Sequence, residues 1–166
     1  AHLGVIEEQR GELAAGHVPQ MQFTARGHRG LAGRGGKRCV GHAVAAARAV
    51  AARADCSILL DVNNVHVSAV NHGFSADTYL AALPRERVVQ LHIAGFSRGR
   101  ELLLDTHGTA IDLAVWRLLE LALERFGALP LVLERDRNIP PLAELLDEAR
   151  KASALIARRV TRDDSE

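Results

Sequence analysis

Residues that bind metal ions or move protons follow three short apolar runs in this sequence. Asp61 and Asn63 end the first run, His92 lies near the end of the second, and Glu134 ends the third. Histidine, carboxylate and amide ligands together suit iron, manganese or zinc, and two histidines with one carboxylate form a common ferrous site. The pattern therefore indicates metal chemistry. The segments after the runs add Asn64, His72, Asp105, His107, Arg135 and Asp136.

The elements that must position these residues alternate along the chain. The apolar runs predict buried strands at residues 57–63, 88–95 and 129–134. Apolar spacing and capping residues predict helices near 43–54, 75–83, 111–126 and 140–159. Strands alternating with helices are typical of right-handed βα units with a parallel sheet. Active sites in such folds lie at the carboxyl ends of the strands, so one mouth should collect these side chains.

Each polar residue also has a simpler interpretation. An aspartate at a strand end is often a helix cap. His92 lies between Leu91 and Ile93 and fits a core histidine, while His66 and His72 fit ordinary loop positions. The occurrence of several such residues at equivalent strand ends favours the site.

Composition and charge limit the class of protein. The 166 residues are 48% hydrophobic and 25% charged, which is typical of a globular chain. No apolar run approaches the roughly 18 residues of a membrane-spanning helix. No leader pattern opens the chain, and the two cysteines, Cys39 and Cys56, lack zinc-site spacing. A cytoplasmic protein without membrane contact is expected.

Three segments are predicted: residues 1–49, residues 50–160 and a charged tail at 161–166. The first is rich in glycine and basic residues, with no Asp or Glu from Leu13 to Ala54. It has three interpretations: translation of a shifted reading frame in GC-rich DNA, a disordered segment, or an RNA-binding tail at 26–38 that uses phosphate charge. Nucleic-acid binding is the least favoured, because no aromatic residue lies between those basic residues.

Ordered motifs resemble those of a known family. Over residues 50–155 the chain is similar to the C-terminal half of the multinuclear non-haem iron-dependent oxidases, the methanobactin-biosynthesis MbnB and TglH-like enzymes. No single motif is specific, but their order and spacing are. The motifs are LLDVNN at 59–64, VNHGF at 70–74, QLHIAG at 90–95, DTH at 105–107, LERD at 133–136 and NIPPL at 138–142.

The resemblance implies an α/β fold, namely part of a xylose-isomerase-like (β/α)8 TIM barrel, with two or three iron ions. Family members oxidise a cysteine of a ribosomally made precursor peptide with dioxygen, often with a separate peptide-binding partner protein. Iron would bind the substrate thiolate, the ligating form of cysteine. Asp61, His92 and Glu134 would be catalytic. The implied metal ligands are Asp61, Asn63, His72, His92, Asp105, His107 and Glu134.

The sequence also departs from the family. Phe96 stands where the family commonly has histidine, and residues 1–50 lack the Glu-Asn pair of the family's earlier strands. A site without those ligands is expected to bind iron weakly or not at all. Two other functions therefore stay open: a metal-dependent isomerase or hydrolase on the same barrel type, and a non-catalytic fragment with a basic RNA-binding tail.

Overall fold

The described fold is a parallel sheet with helices packed against it. The computed structural model describes residues 20–22 and 36–163. Its strands are β1 (Gln20–Gln22), β2 (Ser57–Asp61), β3 (Val88–Ala94), β4 (Ser97–Arg98), β5 (Leu103–Leu104) and β6 (Leu131–Glu134). Its α-helices are α1 (Gly36–Arg53), α2 (Val62–His72), α3 (Ala76–Ala82), α4 (Leu113–Phe126) and α5 (Leu142–Asp163), and a 3-10 turn covers Arg85–Arg87.

The main sheet has the strand order β1-β2-β3-β6, and all three pairings are parallel. This confirms the parallel sheet that the alternating pattern predicts. Asp61 pairs in register with His92, and Ala94 pairs with Glu134. The register therefore brings the polar ends of β2, β3 and β6 to one edge.

Apolar residues of the two central strands form the core. Leu91 and Ile93 of β3 are fully buried, and Ile58 of β2 is nearly so. Helix α4 presents Val115 and Leu119, both fully buried, because apolar residues recur at helical spacing along it. Each such side chain stabilises the fold by about 1.5–3 kcal/mol. The core thus holds the strand ends of the site in fixed positions.

Helix α2 occupies the segment for which the sequence predicted a loop. The Asp61 carboxylate accepts a hydrogen bond from the backbone N–H of Asn64 at 2.9 Å and so caps the helix. Gly73, with φ of 65°, ends it in the left-handed conformation that glycine adopts without strain. The loop placement of His72 was therefore wrong, since this residue lies in the last turn of α2.

Other boundaries also differ from the predictions. Helix α1 begins at Gly36, before the predicted start at 43, and the antiparallel pair β4–β5 was not anticipated. The shifted-frame, disorder and RNA-binding interpretations lie outside the described residues at 1–19 and 23–35, whereas 36–49 are helical. The tail positions 164–166 are also outside. Within 20–22 and 36–163, no helix is long and apolar enough to cross a membrane.

Gly95, just after β3, allows a close backbone approach that supports the site. A Cβ at this position would overlap the backbone oxygen of Thr109, in the loop that also carries His107. The Gly95→Ala variant is expected to lose about 3 kcal/mol of unfolding free energy, the upper part of the usual overpacking range. Urea unfolding followed by circular dichroism measures this. A Gly73→Asn control should lose little, because Asn tolerates the left-handed conformation and nothing lies nearby.

Candidate metal centre

A chain of carboxylate–imidazole contacts links the ends of β2, β3 and β6. His92 Nδ1 lies 3.1 Å from Asp61 Oδ2, and His92 Nε2 lies 2.7 Å from Glu134 Oε2. The second contact is a hydrogen bond, but the first is not aligned for one and leaves Nδ1 buried without a hydrogen-bond partner among the described residues. The His92 side chain is 3% exposed and Glu134 is 40% exposed, so the centre opens on the Glu134 side.

The loop after β5 adds a second imidazole. His107 Nδ1 lies 3.0 Å from Glu134 Oε2 and 3.4 Å from Asp136 Oδ2, while its Nε2 lies 3.1 Å from Asp105 Oδ1. The His107 and His92 ring centroids are 5.2 Å apart. The backbone of His107 adopts a φ of 49°, a conformation uncommon for a residue with a side chain. Glu134 is thus shared between two histidines from different elements.

The first turn of α2 holds Asp105 from the other side. Asn63 Nδ2 donates a short hydrogen bond to Asp105 Oδ1, and Asn64 Nδ2 donates to Asp105 Oδ2 at 2.9 Å. The Asn63 residue is 0% exposed, yet its Oδ1 atom has no hydrogen-bond partner in the described part of the chain. Buried polar atoms normally have partners, so this oxygen needs an explanation.

The residues fit a divalent cation. Ligand atoms of Asp61, His92 and His107 lie within 4.8 Å of one another, and so do those of His107, Glu134 and Asp136. The first group has two histidines and one carboxylate, the set found in non-haem ferrous sites with open positions. The orphaned oxygen of Asn63 is a further candidate ligand atom, because Asn63 holds the Asp105 carboxylate that contacts His107. Both features match the metal chemistry that the sequence indicated.

The raised pKa of His92 indicates that its surroundings stabilise positive charge. Burial lowers the pKa, but the neighbouring Asp61 and Glu134 carboxylates outweigh that effect and raise it above the ordinary value. Negative groups on both sides of the ring therefore stabilise a cation at this position. The same carboxylates would stabilise the positive charge of a bound metal ion.

Most of the predicted ligands come together, but not all. Helix α2 places His72 about 15 Å from its first turn, at the rise of a standard helix, so His72 does not join the group. Asp136, which is not among the ligands that the resemblance implies, lies at ligand distance. The signal for it was its spacing of two residues from Glu134, which alternation along an extended chain places on the same side. The predicted residues in mutual contact are Asp61, Asn63, His92, Asp105, His107 and Glu134.

The environment of His66, on helix α2, lowers the pKa of its imidazole and so can be tested by titration. Its ring lies 5.1 Å from that of Phe96, and burial lowers its pKa, with Asp112 raising it and Arg98 lowering it. We expect an NMR titration midpoint below the reference of about 6.5. The contribution of His66 to the free energy of unfolding is fully present above about pH 6.5. It is lost as the pH falls through the pKa of His66 in the folded chain, because the unfolded chain binds more protons in that range.

The control for His66 is Arg98→Gln. Removing this charge takes away an influence that lowers the pKa, so the midpoint should move upward toward the ordinary value. A midpoint at or above 6.5 in the unchanged chain would contradict the burial of His66.

The residues of the candidate centre lie within a region that matches a known protein family. The model of a family described as the RiPP precursor modification enzyme MbnB/TglH/ChrH matches residues 43–157. The chain belongs to this family. The match covers β2, β3, β6 and every residue of the candidate centre. It confirms the resemblance found in the sequence motifs.

Proteins from several bacteria are similar to this chain over a little more than 100 residues. A UPF0276 protein of Rhizorhabdus wittichii is 53% identical over 104 residues, which is 63% of this chain and 37% of that protein. One from Caulobacter vibrioides is 53% identical over 103 residues, 62% of this chain and 37% of that protein. One from Shewanella oneidensis is 50% identical over 111 residues, which is 66% of this chain and 40% of that protein. The chain thus spans about two fifths of these curated relatives.

Proposed function

We propose that this chain carries the iron-binding part of an oxidase that modifies a cysteine of a ribosomally made precursor peptide with dioxygen. The observation that supports it is the group formed by Asp61, His92 and His107, with ligand atoms within 4.8 Å. Two histidines with one carboxylate would suit ferrous iron, and the family is described as one of RiPP precursor modification enzymes. The bound iron would supply the means to hold a thiolate and to react with dioxygen.

The chain's own residues would prepare the centre for this chemistry. Asp61 holds the Nδ1 side of His92 and also caps α2, so one carboxylate sets both the ring and the helix. Asn63 and Asn64 fix both oxygens of Asp105 and so orient that carboxylate. Such outer partners normally set ligand orientation and basicity. The partly exposed Glu134 faces the side from which a peptide would enter.

Two ions are proposed rather than one. His107, Glu134 and Asp136 form a second group that shares His107 with the first. Sharing one residue places the two positions close together, as in centres where neighbouring ions act on a single substrate. We assign Asp61, His92 and Glu134 both to metal binding and to the catalytic role, and Asn63, Asp105 and His107 to metal binding.

The wider architecture belongs to the same proposal. The four-stranded parallel sheet would form part of a xylose-isomerase-like (β/α)8 barrel, with residues 50–160 as its C-terminal half. Its support is the collection of site residues at the carboxyl ends of β2, β3 and β6, where barrel enzymes place their active sites. A cytoplasmic setting and a separate peptide-binding partner complete the proposal.

The experiment is a peptide oxidation assay. The chain is loaded anaerobically with ferrous iron and mixed with dioxygen and a synthetic peptide that contains one cysteine, taken from a short open reading frame beside the gene. Mass spectrometry should show a mass change in the cysteine peptide but not in its cysteine-to-serine form. Equal modification without iron or without dioxygen would contradict the proposal.

A further inference from the structure

A buried ion pair outside the candidate centre connects it to helix α5. Arg135 Nη2 donates to Glu148 Oε2 at 2.9 Å, with side chains 7% and 16% exposed. The other oxygen of Glu148 accepts a hydrogen bond from the backbone N–H of Ile111 at 2.8 Å. One carboxylate on α5 therefore joins the segment after β6 to the segment before α4.

The position of Glu148 on its helix is unusual for a charged residue. It shares a face with Ala152 and Leu155, at spacings of four and seven residues, and these two are 5% and 6% exposed. An apolar residue would be expected on that face. Removing two charges from water is costly, and well-packed apolar residues commonly replace buried pairs without loss of stability. Stability alone is therefore a weak account of this pair.

Both segments joined by Glu148 carry residues of the centre. Arg135 directly follows Glu134, and Ile111 ends the loop that carries Asp105 and His107. Two further bonds connect these segments: the Asp136 N–H donates to the His107 carbonyl at 2.9 Å, and Asn138 Nδ2 donates to the Gly108 carbonyl at 3.0 Å. Those two bonds tie the loop to the β6 segment, and Glu148 ties both to a helix.

We propose that Arg135 and Glu148 are positioning residues that hold His107 against Glu134. The inference rests on the proposed metal centre, although the pair itself belongs to neither group of candidate ligands. The 3.0 Å contact between His107 and Glu134 joins exactly one side chain from each of the two bridged segments. Loss of the bridge removes the anchoring of both segments to α5 and leaves only the two direct bonds between them, so we expect the His107 side chain to shift against Glu134.

The test replaces the pair by apolar residues of similar volume, as Arg135→Met with Glu148→Leu. The matched control removes an exposed charge pair on the same helix, as Asp147→Asn with Arg150→Gln, whose side chains are 73% and 71% exposed. Circular dichroism and thermal unfolding establish that each variant folds. Should the double apolar variant not fold, Glu148→Gln takes its place, since its amide oxygen still accepts from Ile111 while the charged contact to Arg135 is lost.

Two readouts follow in the 166-residue chain. The first is the ring NMR signals of His107 in the metal-free chain, with His66 as the internal reference. The apolar variant should shift the His107 signals and leave those of His66 in place, whereas the control should shift neither. The second is Co²⁺ affinity and its visible absorption, and here we expect about tenfold weaker binding with an altered spectrum, as for other outer-shell changes.

The outcomes separate the two proposals. Unchanged His107 signals in a folded apolar variant would overturn the positioning role, whatever the metal result. An unchanged Co²⁺ affinity and spectrum would overturn it as well. If the unaltered chain binds no Co²⁺, the proposed function fails, and the His107 signals alone decide on Arg135 and Glu148.

Discussion

The His107→Asn variant is expected to lose metal binding almost completely. His107 belongs to both groups of candidate ligands, so no other single replacement removes a member from each. Asparagine suits the test because it tolerates the left-handed backbone that His107 adopts. Loss of a direct ligand should exceed the 10–100-fold cost of outer-shell changes, so we expect at least about 100-fold weaker Co²⁺ binding by calorimetry.

The matched control for this variant is His72→Asn. The sequence grouped His72 with the ligands, but helix α2 carries it to the end opposite Asp61. The control should bind Co²⁺ as the unaltered chain does. Equal losses in the two variants would show that His107 has no special place in the centre.

The Asn63→Asp variant is expected to destabilise the metal-free chain strongly. Asn63 is fully buried and donates to Asp105, so the substitution replaces a donor by a second carboxylate facing the first. An uncompensated buried charge costs about 3–5 kcal/mol. Urea unfolding of the metal-free chain measures the loss.

Metal should reverse this loss. A divalent cation bound at the Asp61, His92 and His107 group, beside Asp105, would lessen the repulsion between the two carboxylates. A ligand that binds the folded state stabilises it by mass action. We therefore expect Co²⁺ to restore a larger part of the stability in Asn63→Asp than it adds to the unaltered chain.

The control for the second variant is Asn71→Asp, on the same helix. Asn71 bonds to the backbone of Leu103 through both its amide atoms, so the substitution loses one donor and destabilises modestly. Co²⁺ should give it no additional recovery. If Co²⁺ restored a similar part of the unfolding free energy in both variants, a cation position close to Asn63 would be contradicted.

The strand-end residues could be predicted from sequence because local patterns determine them. Asp61, His92 and Glu134 each end an apolar run, and parallel pairing then requires that the ends share one edge. The same reasoning placed Asp105 and His107 in the following loop. The family motifs at 59–64 and 133–136 could be found in the sequence for the same reason, because each contains one of these strand-end residues.

Other features depend on contacts between distant segments. Glu148 bridges Arg135 and the Ile111 backbone. Its spacing to Ala152 and Leu155 indicates a buried face, but no pattern along α5 shows which distant segments it contacts. The loop placement of His72 was wrong because the polar residues that follow Asp61 belong to a helix, whose cap is Asp61 itself. Asp136 was undervalued because its distance to His107 depends on how the loop after β5 folds back.

In the proposed function, this chain assembles an iron centre from its own residues. The most direct measurement is the iron content per folded chain, determined by mass spectrometry after anaerobic addition of ferrous iron and removal of the unbound metal. We predict one or two irons per chain, lost in His107→Asn and kept in His72→Asn. A folded, monodisperse chain without bound iron would contradict it.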